Sequence, residues 1–377
     1  MSSSDNAPAP SGFKARLAGL VSPAHLKVGL RAAVAGLAAY GIAYGLALPN
    51  GYWAVLSAVV VVQSTIGASL KAALDRALGT LVGGAVGVAA AVIADGSLSL
   101  TVLTFAIAAF VTATVSARSA SFRLAPATVV IVLLADPGNH EPWLAGLHRV
   151  FEIGVGGVVG MLAAVLIVPE RALFRLFPHC AKALRVSARL LELGRDGLLG
   201  RGLDPGELDR LNSGARAALR AADARIAEAR TERAGGFVSH ADPAPVVRNC
   251  RRLWHSVIIL LRVADQPMAA PVVERIAPVL DAAVAALAAQ MEALAVRLDG
   301  AAPADAADGA AAVAAAVVAL ETQAEQLSTD PALADVLRGD TLAALFAAVT
   351  ACGQARENLE ELAARLAEVE GEAAQDD

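Results

Sequence analysis

The sequence predicts an all-α protein: a six-span transmembrane helical domain followed by a cytoplasmic α-helical, coiled-coil-like bundle. Three observations carry this expectation. The chain of 377 residues is 56% hydrophobic and only 18% charged, with a mean hydropathy of +0.57, against about 45–50% and about 25% for soluble domains. The excess is local: residues 1–176 hold 11 Lys and Arg against 7 Asp and Glu, whereas the remainder holds 20 against 29. Finally, the Lys and Arg residues of the first part fall at every second break between apolar runs. The expected organisation is a polar cytoplasmic N-terminus at 1–25, a membrane domain at 26–170 and a cytoplasmic helical domain at 171–377.

Residues 1–25 are rich in Ser, Pro and Ala and lack the short apolar core of a secretory signal, so the first span is expected to act as its own targeting signal. A helix needs about 20 apolar residues to cross a bilayer. Candidate spans run over about 28–48, 52–70, 77–94, 98–117, 122–135 and 144–168. Between them lie Pro49-Asn50-Gly51, Ser69 to Arg76, Asp95-Gly96, Arg118 to Ser121 and Asp136 to Pro142. Lys14, Arg16, Lys27 and Arg31, then Lys71 and Arg76, then Arg118 and Arg123, then Arg171 and Arg175 mark one face; the alternate breaks, with Asn50, Asp95, Asp136, His140 and Glu141, have no Lys or Arg. The positive-inside rule then places both termini in the cytoplasm. Trp53 and Trp143 fall at the opposite interface, where aromatic belts form.

The second and fifth spans are irregular. The second is continuously apolar only from Tyr52 to Val62, ahead of Gln63-Ser64-Thr65, and the fifth is short and contains Pro126. They are the middle members of two successive three-span halves, which must have opposite orientation because three is odd. Paired interrupted segments in inverted halves point to a transport site; the alternative is two ordinary, slightly tilted helices.

From Phe177 the apolar periodicity is that of amphipathic helices, as in Leu184, Leu190, Leu191 and Leu198. Asp204-Pro205-Gly206-Glu207 reads as an N-cap, a proline at the first helical position and an acid in the first turn. Five or six helices are expected, with breaks at Gly200 to Pro205, Gly235 to Pro245, Gln266-Pro267, Asp299 to Asp308 and Ser328 to Pro331. Glu360, Glu361, Arg365, Glu368 and Glu370 make the last helix charged and coiled-coil-like.

Composition and motifs also exclude chemistry. Cys180, Cys250 and Cys352 are odd in number and have no C-x-x-C spacing, so neither a disulfide framework nor a zinc site is expected. There is no phosphate loop, no G-x-S-x-G elbow and no histidine pair at ligand spacing. No enzyme, cofactor, metal or nucleic-acid role is expected.

What remains points to transport and packing. Gly79, Gly83 and Gly87 on span three, and Gly156 and Gly160 on span six, recur every four residues and suit close helix packing. Arg149 and Glu152 stand three apart on one face; intramembrane charges cost about 2.5–3.5 kcal/mol each, so they read either as a relay or substrate contact or as a fixed ion pair. Arg31 is placed to snorkel to the cytoplasmic surface. Lys71 and Arg76 frame an inward loop that either attracts an organic anion or enforces topology. Tyr40 and Tyr44 either line an aromatic-friendly cavity or pack against neighbours.

The run YWAVLSAVVVVQSTIGASLKAALDRALGTLVGGAVG, from Tyr52 to Gly87, resembles the signature of the fusaric acid resistance-like family, also called the integral membrane bound transporter domain and related to aromatic acid exporters. Trp53, Gln63, Ser64, Gly67, Ser69, Lys71, Arg76, Gly79 and Thr80 carry the likeness, and GVGGVVGMLAAVLIVPERA resembles the family's closing span. The resemblance covers about 26–170. It implies a bacterial inner-membrane exporter of aromatic acids or amphipathic toxic compounds, driven by protons, with a transport path past Gln63, Ser64, Ser69, Lys71 and Arg76; the intramembrane charges of Arg149 and Glu152 add those two residues to the candidate path. It also implies a homodimer or higher homo-oligomer in lipid and a periplasmic adaptor as partner. An organic-anion channel and a non-transporting scaffold acting through its cytoplasmic helices are the competing readings.

Overall fold

The computed structural model describes residues 23–134, 141–301 and 306–373. The N-terminal segment with Lys14 and Arg16, the Asp136 to His140 break and most of the Ala301 to Ala307 linker lie outside the described residues. Among the described residues the regular structure is entirely helical, with twelve α-helices and no strand. The chain divides into two compact units, Met1–Arg171 and Ala172–Asp377.

The first unit contains α1 (Pro23–Gly45), α2 (Tyr52–Val61), α3 (Ile66–Ala94), α4 (Leu98–Arg118), α5 (Ala125–Leu134) and α6 (Pro142–Leu166). Four of these, α1, α3, α4 and α6, are long and apolar enough to cross a membrane. The second and fifth expected spans are α2 and α5, ten residues each. At 1.5 Å per residue each covers about 15 Å, half of a hydrocarbon core of about 30 Å. Leu98, Val102 and Phe110 on α4 and Leu37 and Tyr44 on α1 are largely exposed, the outward apolar faces that lipid covers.

One expected boundary is corrected. The second span was read through Leu70, with Ser69 to Arg76 as a basic loop. Instead, helix ends at Val61 and restarts at Ile66, so Ser69, Lys71 and Arg76 all lie within α3. The cause is local. Thr65 is extended and its side chain accepts from Ala68 N at 3.2 Å, a helix N-cap. Lys71 pairs with Asp75 at 2.7 Å one turn on, and no Gly or Pro interrupts 68–78.

The halves α1–α3 and α4–α6 correspond residue by residue. Arg76-x5-Val82-Gly83-Gly84-x-Val86-Gly87-x-x-Ala90-Ala91-Val92 recurs 73 positions later from Arg149 to Val165, with nine of seventeen residues identical. The packing repeats as well, with α2 and α5 related by 71 positions. α2 lies in the groove of α6, where a Cβ on Gly156 would sit 2.6 Å from Ser57 Cβ and one on Gly160 would sit 2.6 Å from the Ala58 carbonyl oxygen. α5 lies in the groove of α3, where a Cβ on Gly83 would sit 2.7 Å from Thr128 Cβ and one on Gly87 would sit 3.0 Å from Val132 Cβ. Only glycine admits these approaches. The apolar cores repeat as well: Ala35, Ala58, Val62 and Ala163 cluster in one half-interface, and Ala108, Val129, Leu133 and Ala90 in the other. Gly84 meets Val150 while Val88 meets Gly146, so α3 and α6 run antiparallel. The repeat is therefore inverted, and each half lends its short helix to the long glycine-faced helix of the other.

The second unit is a bundle of α7 (Ala172–Leu198), α8 (Pro205–Ala234), α9 (Ala244–Leu261), α10 (Ala270–Leu298), α11 (Ala306–Ser328) and α12 (Asp340–Ala373). Asp204 caps α8 by accepting from Gly206 N at 2.9 Å, and Glu232 caps α7 by accepting from Ala172 N at 3.0 Å. By length and composition α10 also qualifies as a membrane-crossing helix. Its apolar stripe, Val272, Ile276, Leu280, Leu287 and Met291, is nevertheless fully buried in this unit's own core.

Candidate functional site

Polar side chains inside the membrane unit are few, and they gather in three places. The first is the break between α2 and α3. Arg31, fully buried on α1, donates from Nε to Ile167 O at 2.8 Å and from Nη2 to Val168 O. Its Nη1 lies 3.5 and 3.4 Å from the Gln63 and Ser64 carbonyl oxygens. Arg31 does not snorkel; it ties the break to the exit of α6. Val168 is held at φ 47, a left-handed conformation that a β-branched residue rarely adopts. Ser69 is buried; its hydroxyl accepts from Gln63 N at 2.9 Å and donates to Thr65 O at 3.0 Å. The Gln63 side chain turns back to Val60 O at 2.8 Å and is exposed, and Ser64 is half-buried. Lys71 is exposed in its pair with Asp75.

The second place joins α6 to the start of α2. Arg149 Nη1 donates to Glu152 Oε2 at 2.9 Å, and both side chains are buried. Glu152 Oε1 accepts from Asn50 N at 2.8 Å. The Arg149 guanidinium stacks 4.6 Å from the centroid of the Trp53 ring, a geometry that stabilises a desolvated cation. Arg149 Nε and Trp53 Nε1 are buried with no hydrogen-bond partner. Glu152 is the one buried carboxylate of this unit among the described residues.

The third lies midway along α2. Arg76 is 6% exposed and donates from Nε to Ser57 Oγ at 2.9 Å; that hydroxyl in turn donates to Ile153 O at 2.9 Å. Among the described residues no carboxylate pairs with Arg76. It lines a cleft of about 360 Å³ with Ser57, Thr80 and largely apolar walls, among them Leu70, Leu74, Val158 and Met161.

Over residues 37–163 the chain matches the family described as Fusaric acid resistance protein-like. Residues 37–163 form a fusaric acid resistance protein-like domain. With its apolar helices, that domain makes this a multi-pass membrane protein of transporter type. No curated protein is similar enough to match the chain.

Within the fusaric acid resistance protein-like domain the structure unites Arg149 with Glu152, and sets Arg76 against the neighbouring turn of α6. It keeps Gln63, Ser64, Ser69 and Lys71 apart from them, around the break. Asn50, Trp53 as an arginine platform, and Ser57 were missed by sequence reasoning. Ser57 is one small hydroxyl in an apolar run, and only the paired placement of α2 and α6 gives it a role. Tyr40 and Tyr44 line an apolar cavity of about 790 Å³ with Tyr52 and Trp53. Among the described residues no group of His, Cys, Asp and Glu is arranged to hold a metal ion.

The chemistry of the second unit is that of a stable bundle. Cys180, Cys250 and Cys352 are buried free thiols. The hydrogen bond between Cys180 and Cys250, with burial, pushes the Cys180 thiol well up, and burial raises Cys352 to about 12. Arg201 holds the Asp281 carboxyl below its usual value, and Arg230 does the same for Asp242.

Proposed function

We propose that the protein is a secondary transporter of a bacterial inner membrane that exports aromatic acids or amphipathic toxic compounds, coupled to protons. The observation that carries this reading is the buried Arg149–Glu152 pair on α6, stacked on Trp53 and bound to Asn50 N. Charges within a membrane are retained where they serve a pathway or a proton relay. Glu152 is the carboxylate that takes up the proton; its neutralisation would loosen its hold on Arg149 and on the start of α2. The match to the fusaric acid resistance protein-like family supports the transport class, and the apolar clefts of the membrane unit suit an amphipathic organic acid. Both termini, and with them the second unit, face the cytoplasm in this reading, as the Lys and Arg distribution requires. In this reading the protein works as a homodimer or higher homo-oligomer and delivers its substrate to a periplasmic adaptor.

The test is transport by purified full-length protein in proteoliposomes loaded with a radiolabelled aromatic carboxylate. An imposed pH gradient should drive flux, and Glu152→Gln should abolish that drive while leaving exchange intact. Passive, voltage-driven current without response to the pH gradient would instead favour the channel reading, which the uncompensated cation Arg76 makes the second choice. Absence of any flux would leave the scaffold reading.

A further inference from the structure

The inverted repeat relates not only helices but cavities. A smaller cleft of about 320 Å³ lies on the other side of the α3–α6 crossing. Each of its seven lining residues has its counterpart, 73 positions away, in the lining of the Arg76 cleft: Gly84 matches Gly157, Val88 matches Met161, and Gly146 matches Ala73. Because α3 and α6 are antiparallel, the two clefts lie toward opposite ends of the helix pair. Each half supplies one arginine at the corresponding position, Arg76 and Arg149.

The two arginines are not in corresponding states. Arg76 Nε is held by Ser57 Oγ at 2.9 Å, and Arg76 is among the residues lining its cleft. In the packing the counterpart of Ser57 is Thr128, 71 positions on, each meeting the groove glycine of the other half; the Thr128 hydroxyl turns back to Leu124 O at 3.0 Å, Arg149 Nε is buried without a partner, and Arg149 is not among the residues lining its cleft. What draws it away is Glu152. The residue at the corresponding place beside Arg76 is Gly79, so Arg76 has no built-in carboxylate.

We propose that the Arg76 cleft is the site for the carboxylate group of an aromatic or amphipathic organic acid, and that the mirrored cleft is the same site in the other half, kept empty by Glu152 standing in for the substrate's carboxylate. This deepens the transport reading and rests on it for the substrate class. The terminal nitrogens of Arg76 present the paired donors that a carboxylate accepts, Ser57 fixes the guanidinium plane, and the apolar walls take the ring. A neutral isostere loses the charge-assisted bonds and keeps only the apolar contact.

Equilibrium binding of radiolabelled benzoate to the purified full-length protein tests this, with benzamide as the neutral competitor. One benzoate per chain is expected, with benzamide competing poorly. Arg76→Gln should weaken binding about 10- to 100-fold, and Arg76→Lys should restore part of it. Glu152→Gln should raise the capacity toward two per chain. Thermal melting of each variant shows which are folded; should Glu152→Gln fail to fold, the Arg76 pair decides alone. Benzoate binding by folded Arg76→Gln equal to wild type, or no benzoate binding by wild type, overturns the proposal. Flux measured on the same preparations separates the two readings. Binding that depends on Arg76 without any flux sinks the transport reading and leaves the site; flux indifferent to Arg76→Gln sinks the site and leaves transport.

Discussion

The glycine-lined grooves make a sharp prediction from adjacent residues. Gly156 and Gly157 follow each other on α6, yet their surroundings are opposite. A Cβ on Gly156 would fall deep inside van der Waals contact of the Ala54 carbonyl oxygen, 2.8 Å from the carbonyl carbon and 2.6 Å from Ser57 Cβ; a Cβ on Gly157 meets nothing within 4 Å. The obstacle at Gly156 is largely backbone and cannot rotate away, so α2 must shift bodily. Overpacking of this kind costs about 1–3 kcal/mol, and the upper end applies here. Alanine returns up to about 1 kcal/mol of helix propensity at either site. Gly156→Ala is therefore expected to lose about 2 kcal/mol, and Gly157→Ala to be neutral or gain up to about 1 kcal/mol. At about 2–4 °C per kcal/mol for a unit of this size, the variants should differ by about 4–12 °C in thermal midpoint of the detergent-purified protein. The inverted repeat demands the same contrast between Gly83→Ala, which meets Ala125 and Thr128, and Gly84→Ala, whose nearest neighbour is Val150 at 3.9 Å. Equal midpoints within either pair would refute the packing argument.

Three further outcomes follow from named contacts. Arg31→Met strips the donors from Ile167 O and Val168 O and should destabilise the membrane unit by about 2–5 kcal/mol, read as a fall in thermal midpoint; an unchanged midpoint would mean the break is held by other contacts. Cys352, buried with its thiol raised to about 12, should resist maleimide in the folded protein at pH 7 and react once denaturant opens the bundle; rapid labelling of native protein would contradict its burial. Arg201 and Arg230 lower the folded values of Asp281 and Asp242 beneath 3.8. The stability they lend is whole above that pH and lost as the pH falls through the lower folded values. Being largely exposed, the Arg201–Asp281 pair is worth under about 1 kcal/mol. The deficit of the double Asp→Asn variant should vanish in acid, and a deficit that persists unchanged would refute the linkage.

Helix content and the apolar spans were legible in the sequence because both depend on local properties: length, periodicity, and the spacing of charge. Arg149 and Glu152 were legible as a pair because three residues on a helix put them side by side. The boundary at Val61 was misread because charge was taken as a sign of loop. Lys71, Asp75 and Arg76 are charged yet helical, and the true punctuation is Thr65, a capping residue. The repeat that starts at Arg76 and again at Arg149 was present in the sequence but is written mostly in Gly, Ala and Val, residues common in any membrane helix. It gains weight only when the register reappears in the walls of two clefts and the groove glycines meet Ser57 in one half and Thr128 in the other. The orphaned Arg149 Nε has no sequence signal at all.

The central claim is that inverted halves present corresponding clefts toward opposite membrane faces. The native cysteines are buried in the second unit, so single cysteines can report on the first. Leu74 and Leu147 are corresponding, exposed lining residues of the two clefts. Labelling of Leu74→Cys and Leu147→Cys by a membrane-impermeant maleimide in right-side-out and inverted vesicles measures the claim directly. The account predicts that each is labelled from one side only, and from opposite sides, Leu74→Cys from the cytoplasmic face. Labelling of both from the same side would contradict it.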